Sequence, residues 1–256
     1  MSYNEINLVS IDRKQMTHLS VNLNKIGLLR NSRGRDYPNM VQVAKKTLEL
    51  GAFGITIHPR PDQRHATYQD ARDLKALLAQ YPGKELNIEG FPDQAFLDVV
   101  LEVVPEQCTL VPDDPNQLTS DHGWNLSRDA DILIPIINKL QTAGIRVCLF
   151  MDPDADAMKM AKDTGADRVE LYTEAYANAY ASDEKDAVLA SYNEAAQAAV
   201  DAGLKVNAGH DLDLENVKAL CDSGLITEVS IGHALTVESL DLGWNNVVQA
   251  YLERLA

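Results

Sequence analysis

The feature that most constrains the fold is a repeated unit in which a helical stretch ends on a glycine and a short β-branched run follows at once. It occurs as Leu50-Gly51-Ala52-Phe53-Gly54-Ile55-Thr56-Ile57, as Ala143-Gly144-Ile145-Arg146-Val147-Cys148-Leu149-Phe150 and as Thr164-Gly165-Ala166-Asp167-Arg168-Val169-Glu170-Leu171. Two more copies are Ala202-Gly203-Leu204-Lys205-Val206-Asn207 and Ser223-Gly224-Leu225-Ile226-Thr227-Glu228-Val229-Ser230-Ile231. Glycine just past a helix supplies the left-handed position that stops it. The run behind it is too short for a helix and rich in Val and Ile, so it reads as a strand.

Three further strands are expected at Leu19-Ser20-Val21-Asn22-Leu23, Leu86-Asn87-Ile88-Glu89 and Thr109-Leu110-Val111. Helical patterns separate the strands, among them Thr67–Gln80, Asp93–Val104, Ser127–Thr142, Glu184–Ala202 and Leu242–Leu255, and Pro135 is expected to kink the helix that holds it. Eight strands alternating with helices predict an all-parallel α/β fold. Right-handed crossovers close it most simply as a (β/α)₈ TIM barrel, with an open doubly wound sheet as the alternative. The 256 residues match one barrel, so residues 1–256 are read as a single domain, with 1–16 a polar N-terminal extension.

The opening residues lack the basic start and apolar run of a signal peptide, and no stretch nears the roughly 18 apolar residues that span a bilayer. A soluble, cytoplasmic protein is expected. Cys108, Cys148 and Cys221 are odd in number and far apart, which offers neither a disulfide framework nor a zinc site. The net charge of −15 argues against nucleic acid and anionic membrane as partners. It also makes any local gathering of cations informative.

In such barrels the active site lies at the carboxyl ends of the strands. The first strand runs into Asn22, Asn24 and Lys25, then Arg30 and Arg33; the second into His58, Arg60, Arg64 and His65. Glu89 ends the third, Thr119 and His122 follow the fourth, and Glu170 and Tyr172 end the sixth. Asn207 and His210 end the seventh, and Gly232 and His233 the eighth. Five of the six histidines thus fall on one face, with His18 the exception. Five cations in two loops of an acidic chain are what a phosphate site requires. Asn207-Ala208-Gly209-His210 and Ser230-Ile231-Gly232-His233 each put a glycine at a strand end, where backbone N–H groups are open to a phosphate. Glu89 reads either as a general base or as the ion-pair partner of an arginine. Asp113-Asp114, between Pro112 and Pro115, reads as a solvated turn. No metal-ligand spacing is present, and neither metal nor cofactor is expected.

Six blocks carry a family resemblance: residues 21–34, 54–65, 87–89, 110–112, 206–210 and 231–234. On them the chain resembles the pyridoxine 5′-phosphate synthase family, the ring-closing enzymes of the deoxyxylulose-dependent vitamin B6 pathway. The resemblance implies two small phosphorylated ketones as substrates, 3-amino-2-oxopropyl phosphate and 1-deoxy-D-xylulose 5-phosphate. They condense to pyridoxine 5′-phosphate with release of phosphate and water. It implies His58 and Glu89 as proton acceptors and His210 as proton donor. Asn22, Arg33, Asp211, Gly232 and His233 would hold the amino ketone; Asn24, Lys25, Arg60, His65 and Thr119 would hold the deoxyxylulose phosphate. Many members carry Asp-His at the Asn24-Lys25 position and glycine at the Asp211 position. A homo-oligomer is expected, and the segment from Asp113 to Asn125 is a candidate lid. The competing readings are a sugar-phosphate isomerase or aldolase on the same kind of barrel, and an inactive relative that only binds phosphorylated ligands.

Overall fold

The structure, a computed structural model, describes residues 16–113 and 120–256. Eight parallel strands follow one another in sequence order and close on themselves: β1 (His18–Asn22), β2 (Gly54–Ile57), β3 (Glu85–Gly90), β4 (Gln107–Leu110), β5 (Arg146–Met151), β6 (Arg168–Tyr172), β7 (Lys205–Gly209) and β8 (Ile226–Ile231). Closure is made by β8 on β1, where Val229 pairs with Leu19 and Ile231 with Val21. The barrel expectation holds and the open sheet is excluded.

Helices α1 (Asn24–Asn31), α2 (Met40–Glu49), α3 (Tyr68–Leu78), α4 (Gln94–Val103), α5 (Leu126–Thr142), α6 (Ala155–Asp163), α7 (Glu174–Ala179), α8 (Lys185–Asp201), α9 (Val217–Cys221), α10 (His233–Leu242) and α11 (Trp244–Leu255) surround the strands. The repeated glycines do what the pattern requires: Gly51, Gly144, Gly165, Gly203 and Gly224 all have positive φ, a conformation in which a Cβ is strained. Pro135 lies inside α5, which continues on both sides of it. No helix among the described residues is long and apolar enough to cross a membrane.

The apolar core is a ring between strands and helices rather than a plug inside the barrel. Ile55, Ile57, Ile88, Leu110, Val147, Leu149, Val169, Leu171, Val206 and Val229 are fully buried there against residues such as Leu74, Val100, Ile137, Ala195 and Val248. Successive strand residues face opposite sides, so the alternate set points inward. That inward set is mostly polar, with Cys148 and Phe150 of β5 among the exceptions.

Candidate active site

Ser20, Thr56, Asn87, Gln107, Thr109, Glu170, Asn207 and Glu228 are all buried. Their hydrogen bonds show that they share one interior. Ser20 meets Thr56 at 2.7 Å, Thr109 donates to Asn87 at 3.1 Å, and Gln107 of β4 reaches Glu228 of β8 at 3.5 Å. The lower end is closed by ion pairs from Arg146 to Glu85 and from Arg168 to Glu228.

At the carboxyl end of this polar bore sits Glu89, buried and approached by the amide nitrogens of Asn22 at 3.4 Å and Asn87 at 3.5 Å. Burial pushes its proton affinity well above that of an ordinary carboxyl, and the nearby Glu170 and Asp113 push in the same direction. Burial likewise carries Glu170 up to about 8, with Glu228 adding to it, and Glu228 itself up to about 7. One carboxyl oxygen of Glu170 is buried with no hydrogen-bond partner among the described residues. The sequence reading placed Glu170 at a strand end but gave it no role. The missed signal was the inward alternation Arg168, Glu170, Tyr172 along β6.

His58 follows β2 and is buried; burial, with the charges of Arg60, His65 and Arg64, holds its imidazole neutral. Its backbone N–H donates to Asn24 Oδ1 at 2.8 Å, while Asn24 N–H donates to Asn22 Oδ1 at 3.0 Å. Two asparagines of the first strand-end loop therefore tie His58 and Glu89 into one frame. His65 is lowered to about 4 by burial and by the charges of Lys25, Arg64 and Arg60, so it offers a neutral ring.

Asp113 is not a solvated turn: it is 3% exposed, and its Oδ2 accepts from Arg60 Nη2 at 2.6 Å and from Ser120 Oγ at 2.9 Å, with His58 Nε2 at 4.0 Å. The buried guanidinium of Arg60 requires a buried counter-charge, which a turn bounded by prolines hides from sequence inspection. Arg30, one of the clustered cations, is committed to an acidic partner of its own. Its guanidinium grips Asp70 with both terminal nitrogens, at 2.5 and 2.8 Å. Arg64 pairs with Asp62 at 2.9 Å.

The glycines of the last two strand ends also have a packing reason. A Cβ on Gly209 would lie 2.2 Å from Glu170 Oε1, and one on Gly232 would lie 2.9 Å from Asn22 Cβ. Beyond Gly209 the chain takes two successive left-handed residues, His210 at φ 82° and Asp211 at φ 59°. Each such non-glycine residue costs about 1–3 kcal/mol. Within this turn His210 Nδ1 lies 2.6 Å from Asp211 Oδ2. The hydrogen bond to His210 holds Asp211 below the usual carboxylate range, with the charges of His233 and Lys25 assisting.

Lys25 acts on both His65 of the β2 loop and Asp211 of the β7 loop, so residues from four strand ends share one field: Asn22, Asn24 and Lys25; His58, Arg60 and His65; His210 and Asp211; and Gly232 and His233. Arg33 stands exposed after α1. Thr119 and residues 114–118 of the candidate lid lie outside the described residues, as does most of the N-terminal extension. The lid's far flank is tied down by Gly123 N–H to Asp152 and Trp124 Nε1 to Leu110 O. Among the described residues no group of three metal-ligating side chains is assembled, and all three cysteines are buried and in no disulfide.

A closed (β/α)₈ barrel with buried ionisable groups and cations gathered at the carboxyl ends of its strands has the layout of a barrel enzyme. The family follows from comparison with known proteins. The chain belongs to the family described as pyridoxal phosphate biosynthesis protein PdxJ, whose profile matches residues 19–256. It is 48% identical over 94% of its length to a protein of Albidiferax ferrireducens, 98% of which is covered. It is 49% identical over 94% of its length to one of Flavobacterium johnsoniae, covered completely. Both relatives are named pyridoxine 5′-phosphate synthase. Among solved structures, phosphoribosylanthranilate isomerase from Thermotoga maritima aligns with a TM-score of 0.58 at 14% identity, covering 94% of this chain and 98% of that one. A structure titled "Native KDPGal structure" aligns with a TM-score of 0.57 at 15% identity, covering 92% and 95%. At those identities the likeness concerns the fold alone.

Proposed function

We propose that this chain condenses 3-amino-2-oxopropyl phosphate with 1-deoxy-D-xylulose 5-phosphate to pyridoxine 5′-phosphate, releasing phosphate and water. The observation that carries the reading is Glu89: a buried carboxyl of raised proton affinity, linked through Asn22 and Asn24 to the backbone of the neutral His58, in a chain about half identical to proteins named for this activity. Imine formation, dehydration, enolisation and ring closure each move a proton, so several groups of different proton affinity must line one cavity. Glu89 and His58 accept protons, and His210 donates one. Glu170, next to Glu89 and pushed up to about 8, adds a carboxyl that is protonated at neutral pH.

Lys25, Arg60, His65, Asn24 and Thr119 form the deoxyxylulose phosphate subsite. Lys25 acts there as an ammonium, since the amino ketone already brings the ring nitrogen and an enzyme-bound imine has no step to perform. Asn22, Arg33, Gly232, His233 and Asp211 form the amino-ketone phosphate subsite. Asp211 takes part through its main chain, because its carboxylate repels a phosphate. Arg60 contributes its positive charge there, with Nη2 held by Asp113.

The test is direct: the purified chain is supplied with both ketones, and pyridoxine 5′-phosphate is followed by absorbance and by mass. Stoichiometric release of inorganic phosphate is expected, and it persists after exhaustive chelation. Absence of product, with both substrates intact, overturns the reading. Isomerisation or cleavage of the deoxyxylulose phosphate alone turns it toward the sugar-phosphate alternative.

A further inference from the structure

The side chain of Asp211 is left over by the function just described, and its geometry gives it a task. Neighbouring residues in extended chain point to opposite sides. A hydrogen bond between the side chains of His210 and Asp211 therefore needs another backbone path, and the two successive left-handed residues supply it. That path is clamped. Thr173 Oγ1 donates to the carbonyl oxygens of Gly209, at 2.8 Å, and of His210, while Asn216 Nδ2 donates to Asp211 O at 3.2 Å. The ring of Tyr172 meets the His210 ring edge-on, with centroids 5.1 Å apart, and the Tyr172 hydroxyl is turned away to Glu174. The neighbouring pair Asp121–His122 makes a similar contact at 2.5 Å, but its side chains are 61% and 51% exposed, against 39% and 23% for Asp211 and His210.

We propose that Asp211 is the positioning residue of His210: its carboxylate holds the Nδ1–H, so Nε2 is the ring nitrogen that delivers a proton to a substrate oxygen. An ionised carboxylate has only acceptors, so the proton of this bond belongs to Nδ1. In the transfer the Nε2–H bond breaks and an O–H bond forms on the departing oxygen. The imidazolium becomes neutral imidazole with Nδ1–H still on Asp211, and no electrons are exchanged. The charged and titratable groups around the pair are Tyr172 and Glu174 from the β6 end, Lys25 from α1, His233 from α10 and Asp121 after β4. Asp211 is the carboxylate hydrogen-bonded to the imidazole itself. Family members with glycine at this position must hold the ring by other means, so the device belongs to this chain.

The inference rests on His210 being the proton donor, and the test separates the two. In the full chain labelled with ¹⁵N-histidine, the His210 signals are identified by their loss in His210→Asn, and two-bond proton–nitrogen correlations report which nitrogen carries the proton. At a pH where the ring is neutral, the Nδ1–H tautomer is expected in the native chain and the Nε2–H tautomer in Asp211→Gly. Glycine tolerates φ 59° without strain, so this variant keeps the turn and is no less stable to heat. Its kcat is expected to fall about 10-fold with both KM values within about 2-fold, a transition-state loss. Asp211→Asn, which keeps the shape and tolerates the left-handed backbone, is expected to lower kcat as well. A neutral His210 ring that carries its proton on Nε2 in the native chain overturns the proposal, as does a neutral Nδ1–H ring that survives in Asp211→Gly or an unchanged kcat in that variant. Should the native chain make no pyridoxine 5′-phosphate, the functional reading fails, while the nitrogen signals still decide the pairing.

Discussion

Glu89 lies near the carboxyl end of β3, where the polar bore opens, and the forces that raise its proton affinity outweigh the Ser230 hydroxyl, which acts against them. Burial removes water from its carboxylate, and Glu170 and Asp113 add like charge. A carboxyl of raised proton affinity is the stronger base once it has lost its proton, which suits abstraction from carbon better than an ordinary carboxylate. Glu89→Gln keeps the volume and the contact with Asn22 but removes the basic lone pair. Its kcat is expected to fall by roughly 10²-fold or more with modest change in KM, read from steady-state kinetics with both ketones. A near-normal kcat would remove Glu89 from the proposed role. The neighbouring glycines belong to the same scale. Gly209 leaves room for Glu170 and Gly232 for Asn22, so their first contribution is to let functional side chains approach.

Among the elements, α1 and α3 are joined by one residue with two duties. Asp70 lies in the first turn of α3, where it completes a capping box with Thr67, and it also receives the guanidinium of Arg30 from α1. Burial works against its charge, yet the hydrogen bonds from Arg30 and Thr67 outweigh it and hold the carboxyl low. Asp70→Ala removes the cap and leaves a largely buried arginine without its partner. A loss of about 3 kcal/mol in chemical denaturation is expected, against about 1 kcal/mol for Thr67→Ala, which touches the cap alone. Equal losses would mean that the Arg30 pair contributes nothing. Because α1 begins at Asn24, two residues after Asn22, Asp70→Ala is also expected to raise KM for deoxyxylulose phosphate.

For the whole molecule, the polar bore sets how stability depends on pH. Glu170 and Glu228 have folded values of about 8 and about 7, against 4.5 for a free glutamate. The folded state therefore binds more protons than the unfolded one between 4.5 and these values, and stability falls as pH rises through that window. The fall is about 1.4 kcal/mol per pH unit for each carboxyl, and it levels off above the folded values. The melting temperature is thus expected to be higher near pH 5.5 than near pH 8.5, in contrast to proteins stabilised by paired surface carboxylates. Glu170→Gln is expected to flatten the curve, since a neutral amide has no proton to lose. A melting temperature that rises across this range in the native chain would show that the bore keeps its carboxylates charged and solvated.

The number, order and direction of the strands were legible in the sequence, because each helix–glycine–strand unit is a local device. Gly144 or Gly203 stops a helix wherever it folds, and the β-branched run behind it has one face to bury. The residues at the strand ends were legible for the same reason: in a closed parallel barrel, position along the strand fixes which rim a side chain occupies. Their pairing was not legible. Arg30 and Arg60 look alike in sequence, yet one is held by Asp70 forty residues on and the other by Asp113 at the far end of another loop. Glu170 and Glu228 read as ordinary strand residues until closure of the barrel puts them in one dry interior and raises their affinity for protons. Charge and proton affinity are set by distance and by exclusion of water, and both are properties of the closed barrel rather than of any one segment.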